Sequence, residues 1–182
     1  MALLGPNCYG LINYHDRLAL WPFAHGGMHP GFGAAIITQS GMLSSDLTMS
    51  QRHLPLSYMV SVGNQASLRL EDFIDIFLEE PHVRAIGLHI EAIQDTEKFA
   101  SAAIRAIEKN IPIVALKTGI SDIGARLTAS HTGSLSGNDT TYSAFFKRLG
   151  ICRVATPSEF VELLKFLTIA GVPAGQKIAG FT

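Results

Sequence analysis

The chain has 182 residues, a formal net charge of −1 at pH 7, and 47% hydrophobic and 16% charged residues. This length and composition are typical of one well-packed α/β domain, and they exclude a disordered chain. The near-neutral charge disfavours nucleic-acid binding. No stretch approaches the roughly 20 apolar residues of a membrane span. We therefore expect a cytoplasmic protein that binds neither nucleic acid nor membranes.

The chain divides into three parts by its pattern. Residues 1–30 are rich in Gly, Pro, Asn and His without a clear period, and they predict an irregular lead-in from the end of a preceding domain. Residues 31–172 alternate regularly and predict the main domain. Residues 173–182 predict a linker and the first strand of a following, truncated domain.

Apolar strand-like runs alternate with amphipathic helical runs through the main domain. The predicted strands are Ala34–Thr38, Ser57–Val62, Val83–Ile90, Ile113–Lys117 and Ile151–Ala155. The predicted helices are Met42–Arg52, Leu70–Leu78, Thr96–Glu108, one after Asn138 whose buried stripe includes Tyr142 and Phe146, and Pro157–Ile169. Short strands that are apolar on both faces and joined by helices predict an α/β fold with a doubly wound parallel sheet.

The regular alternation breaks between Ile111 and Ile151. Here the run Thr128–Gly137 carries one imidazole, His131, among small, hydroxylated and glycine residues. Much of a free histidine is an uncharged nucleophile near neutral pH, and segments that leave the carboxyl ends of parallel strands form the ligand crevice. The run therefore predicts a reactive histidine, with an ordinary surface loop as the alternative.

Two further segments predict groups that would serve such a histidine. Gln39-Ser40-Gly41 follows a strand and opens a helix, so its amides and the helix dipole suit a phosphoryl group, although many inert turns share this geometry. Glu91 ends a strand two residues after His89, which we expect to be structural. Glu91 could accept the N–H of His131, fixing its tautomer and freeing the other nitrogen to attack phosphorus, or it could be an exposed strand-end glutamate.

Other site classes receive little support. His25 and His29 have a metal-like spacing but lie among glycines and proline without a third ligand, so no metal site is expected. The two cysteines, Cys8 and Cys152, cannot form a disulfide framework, and Cys152 is expected to be a buried strand residue. The chain has no Walker lysine motif, dinucleotide fingerprint or serine-hydrolase elbow.

Six motifs in register carry a resemblance that runs nearly from end to end. They are Gly5–Asn13, Ile37–Gly41, Ser61–Asn64, the strand ending at Glu91, Leu116–Gly119 and Ser130–Ser134. Together they resemble the nucleoside-diphosphate-forming acyl-CoA synthetases, the superfamily that includes succinyl-CoA synthetase and ADP-forming acetyl-CoA synthetase. The resemblance implies that this is the flavodoxin-like second domain, and that the lead-in belongs to a CoA-binding domain.

The resemblance also implies site roles. His131 would be the phosphorylated intermediate and Glu91 its supporting carboxylate. The implied phosphate-binding residues are Gln39, Ser40, Gly41, Thr132 and Gly133. Asn7 and Cys8 would border the site on the CoA side.

The implied reaction is the ATP-dependent, ADP-forming ligation of CoA to a small carboxylic acid. ATP with Mg²⁺ would phosphorylate His131 at an ATP-grasp domain or subunit, the acid would take the phosphoryl group as an acyl phosphate, and CoA would displace it. We expect this domain to be inactive alone, to bind no cofactor tightly, and to act in a homo- or hetero-oligomer with ATP-grasp and CoA-binding domains. The alternatives are a non-catalytic CoA- or acyl-CoA-sensing domain, as in protein-acetyltransferase fusions, and a generic flavodoxin-like ligand binder.

Overall fold

The computed structural model describes residues 2–119 and 139–175, which contain seven strands and five helices. The strands are β1 (Gly10–Asn13), β2 (Leu18–Leu20), β3 (Gly33–Thr38), β4 (Leu56–Ser61), β5 (Val83–Ile90), β6 (Ile113–Lys117) and β7 (Cys152–Val154). The helices are α1 (Gly41–Met49), α2 (Leu70–Leu78), α3 (Thr96–Glu108), α4 (Asp139–Arg148) and α5 (Pro157–Ala170).

The strands form one sheet in the order β2-β1-β4-β3-β5-β6-β7. β1 is antiparallel to both of its neighbours, and the five strands from β4 to β7 are parallel. Those five have the order 2-1-3-4-5 when numbered along the chain, which is the flavodoxin-like form of the doubly wound sheet. The predicted fold class is confirmed.

Two apolar layers cover the sheet, one on each face. Phe99 and Phe146 lie in the larger layer, beneath α3 and α4, and Phe160 and Leu164 of α5 lie in the other. Gly87 in the middle of β5 permits this second contact, because a Cβ atom there would lie 2.5 Å from Cδ1 of Leu164. A central strand buried on both faces therefore explains the continuous apolar runs in the sequence.

Side-chain caps define where several helices begin. Ser40 accepts a hydrogen bond from the amide of Leu43 at the start of α1, at 3.3 Å. Thr156 and Glu159 form the reciprocal capping box that begins α5. Because such caps satisfy amides that have no intrahelical acceptor, they fix the first residue of each helix.

The structure corrects two sequence expectations. The lead-in is not irregular throughout, because β1 pairs with β4 and buries Ile12 in the core. Cys152 is exposed, because β7 is a three-residue edge strand with one neighbour. The proposed boundaries at residues 30 and 172 stay a prediction.

The winding of the sheet reverses between β3 and β5. β3 pairs with β4 on one side and with β5 on the other, so the connections that leave β3 and β5 diverge from this seam. In open α/β sheets ligands bind outside the carboxyl ends of the strands at such a reversal. In this chain the reversal is flanked by Gln39, which follows β3, and by Glu91, which follows β5.

Candidate functional site

Three polar residues lie together at the carboxyl ends of β3, β5 and β6. Two of them were predicted from the sequence as site residues, and the third was not. Gln39, Glu91 and Lys117 each end or follow one of these neighbouring strands. A depression of about 630 Å³ lies at the opposite edge of the sheet, around residues 78–84, away from these three residues. The carboxyl edge is the candidate site, since strand topology and polar side chains coincide there.

The side chain of Gln39 crosses the seam and binds the turn after β5. Its Oε1 accepts hydrogen bonds from the amides of Glu91 at 2.5 Å and Ala92 at 3.0 Å. Its Nε2 donates to the carbonyl oxygen of Ala92 at 2.6 Å. The amide group of this buried side chain is therefore hydrogen-bonded mainly to the turn. A contact between Gln39 and phosphate stays a prediction.

The start of α1 presents amides without an intrahelical acceptor at the same edge. Gly41 and Met42, the first two residues of α1, have amides without an intrahelical acceptor, and the positive end of the helix dipole lies there. A Cβ atom at position 41 would lie 2.9 Å from the ring of Tyr9, so any larger residue there would require this ring to shift. This arrangement of Ser40 and Gly41 suits a phosphoryl group.

Lys117 is a buried cation that the sequence reasoning missed. Its Nζ donates to the carbonyl oxygen of Glu91 at 2.8 Å and to that of Thr118, and it lies 4.7 Å from the ring centroid of Tyr142. Burial lowers the pKa of Lys117 to about 8, although Asp139 and Glu91 favour the charged form. A lysine that closes an otherwise apolar strand was the available signal.

His89 lies within the seam between two hydroxyl groups. Its Nδ1 is 3.1 Å from Oγ1 of Thr38, and its Nε2 is 3.1 Å from Oγ1 of Thr118. Burial, with a smaller effect from Lys117, lowers the pKa of His89 to about 4, so the ring is neutral at pH 7. Because both nitrogens are engaged, this imidazole fits the structural role expected for it rather than that of a phosphoryl carrier.

Asn7 and Cys8 lie at the carboxyl end of β4, beside the turn at Gly63. Nδ2 of Asn7 donates to Oδ1 of Asn64 at 3.4 Å, and the amide of Asn64 donates to the carbonyl oxygen of Pro6 at 2.9 Å. The two residues therefore border the same edge of the sheet as α1. Their contact with CoA stays a prediction.

A cavity of about 490 Å³ opens between the first turns of α1 and α5. Ser40, His89 and Lys117 line it, together with Pro157. This volume accommodates a phosphoryl group with part of its donor or acceptor. His131, Thr132 and Gly133 lie outside the described residues, as does Asn138.

The described ranges lack two other kinds of feature, a cluster of metal ligands and a membrane-spanning helix. No group of three or more His, Cys, Asp or Glu residues is placed to hold a metal ion within residues 2–119 and 139–175. None of the helices in the same ranges is long and apolar enough to cross a membrane.

The sheet topology defines a flavodoxin-like α/β domain, with the start of α1 at the carboxyl edge of its sheet. The profile of the family described as the succinyl-CoA ligase like flavodoxin domain matches residues 32–167. The chain belongs to this family.

Similar proteins include the ADP-forming acetate–CoA ligase of Methanocaldococcus jannaschii, which is 37% identical over 99% of this chain and 25% of its own length. The alpha subunit of ADP-forming acetate–CoA ligase I of Pyrococcus furiosus is 35% identical over 100% of this chain and 39% of its own length. The chain therefore spans well under half the length of these relatives.

Among solved structures, dinucleotide-forming acetyl-coenzyme A synthetase 1 of Ca. Korarchaeum cryptofilum, in complex with phosphate and ADP, resembles this chain with a TM-score of 0.82. The two are 32% identical, and the match covers 96% of this chain and 38% of that one. The resemblance inferred from the six motifs is thereby confirmed.

Proposed function

We propose that this chain is the phosphohistidine domain of an ATP-dependent, ADP-forming acyl-CoA ligase that acts on a small carboxylic acid. The observation that carries the proposal is the seam between β3 and β5, where the start of α1 and the turn at Glu91 lie at one edge of the sheet. The names of the similar proteins, ADP-forming acetate–CoA ligases, support the same reaction class. An ATP-grasp domain or subunit and a CoA-binding domain complete the proposed enzyme.

The proposed role of this domain is to carry a phosphoryl group between two sites. A ring nitrogen of His131 attacks the γ-phosphorus of ATP, the N–P bond forms, and ADP leaves with the electrons of the broken P–O bond. A carboxylate oxygen of the acid then attacks phosphorus, which breaks the N–P bond and gives an acyl phosphate. The sulfur of CoA finally displaces phosphate from the acyl carbon.

Two features of the described residues suit this carrier. The amides of Gly41 and Met42 would donate to the phosphoryl oxygens of phosphohistidine, where the helix dipole favours negative charge. The carboxylate of Glu91 would accept the N–H of the other ring nitrogen of His131 and so fix the reactive tautomer.

The proposal is tested by the fate of the γ-phosphate. The chain, assembled with its proposed ATP-grasp and CoA-binding domains, is incubated with γ-labelled ATP and Mg²⁺, and the protein should gain acid-labile, base-stable label. His131→Ala should abolish the label, whereas His53→Ala, at an exposed position remote from the seam, should keep it. Label that persists in His131→Ala contradicts the proposal, and absence of label with retained CoA binding favours the CoA-sensing alternative.

The role of Glu91 has its own test. Glu91→Gln should slow histidine phosphorylation by about 10–100-fold, the usual effect of losing a group that orients a reactive ligand. The residue is only half-buried, so thermal unfolding should change little. Wild-type turnover by this variant would remove Glu91 from the mechanism.

A further inference from the structure

The turn after β5 is held by side chains from three other elements. Gln39 binds the amides of Glu91 and Ala92 and the carbonyl oxygen of Ala92. Lys117 binds the carbonyl oxygen of Glu91, and the hydroxyl of Tyr142 accepts from the amide of Ile93 at 3.2 Å. Five backbone groups in three consecutive residues are thus bonded by side chains rather than by the sheet.

The two contacts to residue 91 come from opposite sides. Gln39 follows β3 and Lys117 ends β6, and these strands are the two sheet neighbours of β5. The amide of Glu91 is held from one side and its carbonyl oxygen from the other. The position of the Glu91 Cα atom, from which its carboxylate extends, is therefore fixed at both flanking peptide groups.

This arrangement has an energetic cost that packing does not explain. Gln39 is 6% exposed and Lys117 is 4% exposed, and burying polar or charged groups is unfavourable unless they bind partners. An apolar residue could close β6 without that cost. Burial also lowers the pKa of Lys117 to about 8, which reflects how much water its ammonium group has lost.

We propose that Lys117 and Gln39 are positioning residues that act on the reaction through Glu91, by clamping the backbone of residues 91–93. This inference rests on the proposed function and deepens it. Reacting groups must be held to fractions of an ångström, and shifts of about 1 Å cost on the order of 100-fold in rate. Loss of the clamp should therefore reduce the rate constant of His131 phosphorylation and leave the KM for ATP nearly unchanged.

The test is a double-mutant cycle with the assembled enzyme. Lys117→Met should slow phosphorylation about 10–100-fold in the wild-type background and less than about 2-fold in the Glu91→Gln background. Lys109→Met is the matched control, because Nζ of Lys109 also donates to a backbone carbonyl oxygen, that of Leu78 at 3.0 Å, but at the opposite edge of the sheet. Equal losses in both backgrounds, or a wild-type rate in Lys117→Met, would overturn the inference.

A second variant covers the case in which Lys117→Met fails to fold. Gln39→Met removes the acceptor for the two amides as well as the donor to Ala92, and it should show the same coupling to Glu91→Gln. Amide hydrogen exchange gives a readout that needs no activity: exchange at residues 91 and 92 should quicken at least 10-fold in Gln39→Met, which removes their acceptor, and stay unchanged in Lys109→Met. If the wild-type enzyme gains no label from γ-labelled ATP, the proposed function is contradicted. If amide exchange at residues 91 and 92 does not change in the Gln39 variant, the clamp is contradicted.

Discussion

Acid pH should destabilise this domain through one buried imidazole, that of His89. Its folded pKa of about 4 lies below the ordinary value of 6.5, so the folded state disfavours the protonated ring. Above pH 6.5 neither state binds the proton and stability is unaffected. As the pH falls from 6.5 towards 4, the unfolded chain gains a proton that the folded chain does not, and stability decreases. A tenfold difference in proton affinity corresponds to about 1.4 kcal/mol. The difference between the pKa of 6.5 in the unfolded chain and about 4 in the folded chain therefore lowers the free energy of unfolding by about 3 kcal/mol.

The measurement is urea unfolding at several pH values from 7.5 to 4, followed by circular dichroism. His89→Gln can still bond the hydroxyls of Thr38 and Thr118, but it cannot take up a proton in this range. The wild type should lose about 3 kcal/mol more than this variant between pH 6.5 and 4. His53→Asn is the control at an exposed site and should keep the wild-type slope. Parallel curves for the wild type and His89→Gln would refute the reasoning.

Three further predictions concern stability. Gly87→Ala should lower the free energy of unfolding by about 1–3 kcal/mol in urea titrations, because its Cβ would lie 2.7 Å from Cζ of Phe160; an unchanged midpoint would contradict the tight contact. Thr156→Ala should cost about 1 kcal/mol by loss of the cap shared with Glu159, and a thermal midpoint equal to that of the wild type would refute this. Since the folded pKa of Lys117 is about 8, below its ordinary 10.5, the unfolded chain holds this proton longer as pH rises from 8 to 10.5. Stability should therefore increase over that window relative to Lys117→Met, and a flat difference in chemical unfolding would oppose the assignment.

Most of the parallel domain could be predicted because local pattern and tertiary environment agree. The bounds predicted for Leu70–Leu78, Val83–Ile90 and Thr96–Glu108 coincide with those of α2, β5 and α3. Each has a strong apolar period, and its ends are marked by turn or capping residues. The placement of Gln39 and Glu91 at one edge followed from the strand order, since parallel strands end at the same side.

The rest depended on contacts between distant residues. β1 is only four residues long and lies in a stretch rich in glycine and asparagine, and its pairing with β4 is what makes it a strand. Sequence reasoning assigned Gln39 to phosphate because it belongs to a turn that follows a strand, and this stays a prediction. The contact of its side chain with Ala92 was not foreseen, because it joins residues 53 positions apart. Lys117 was overlooked because a lysine at the end of a strand is usually exposed, and only the structure brings it beneath Tyr142.

The glycine at position 87 has an effect beyond the interior of the sheet. With no side chain at that position, Leu164 and Phe160 of α5 settle directly on the backbone of β5. The same helix begins at Pro157, which lines the cavity at the carboxyl edge. Because α5 is a rigid rod, its distance from the sheet at Phe160 and Leu164 also affects the position of its first turn. The absence of a side chain at position 87 therefore contributes to where Pro157 stands in the wall of that cavity.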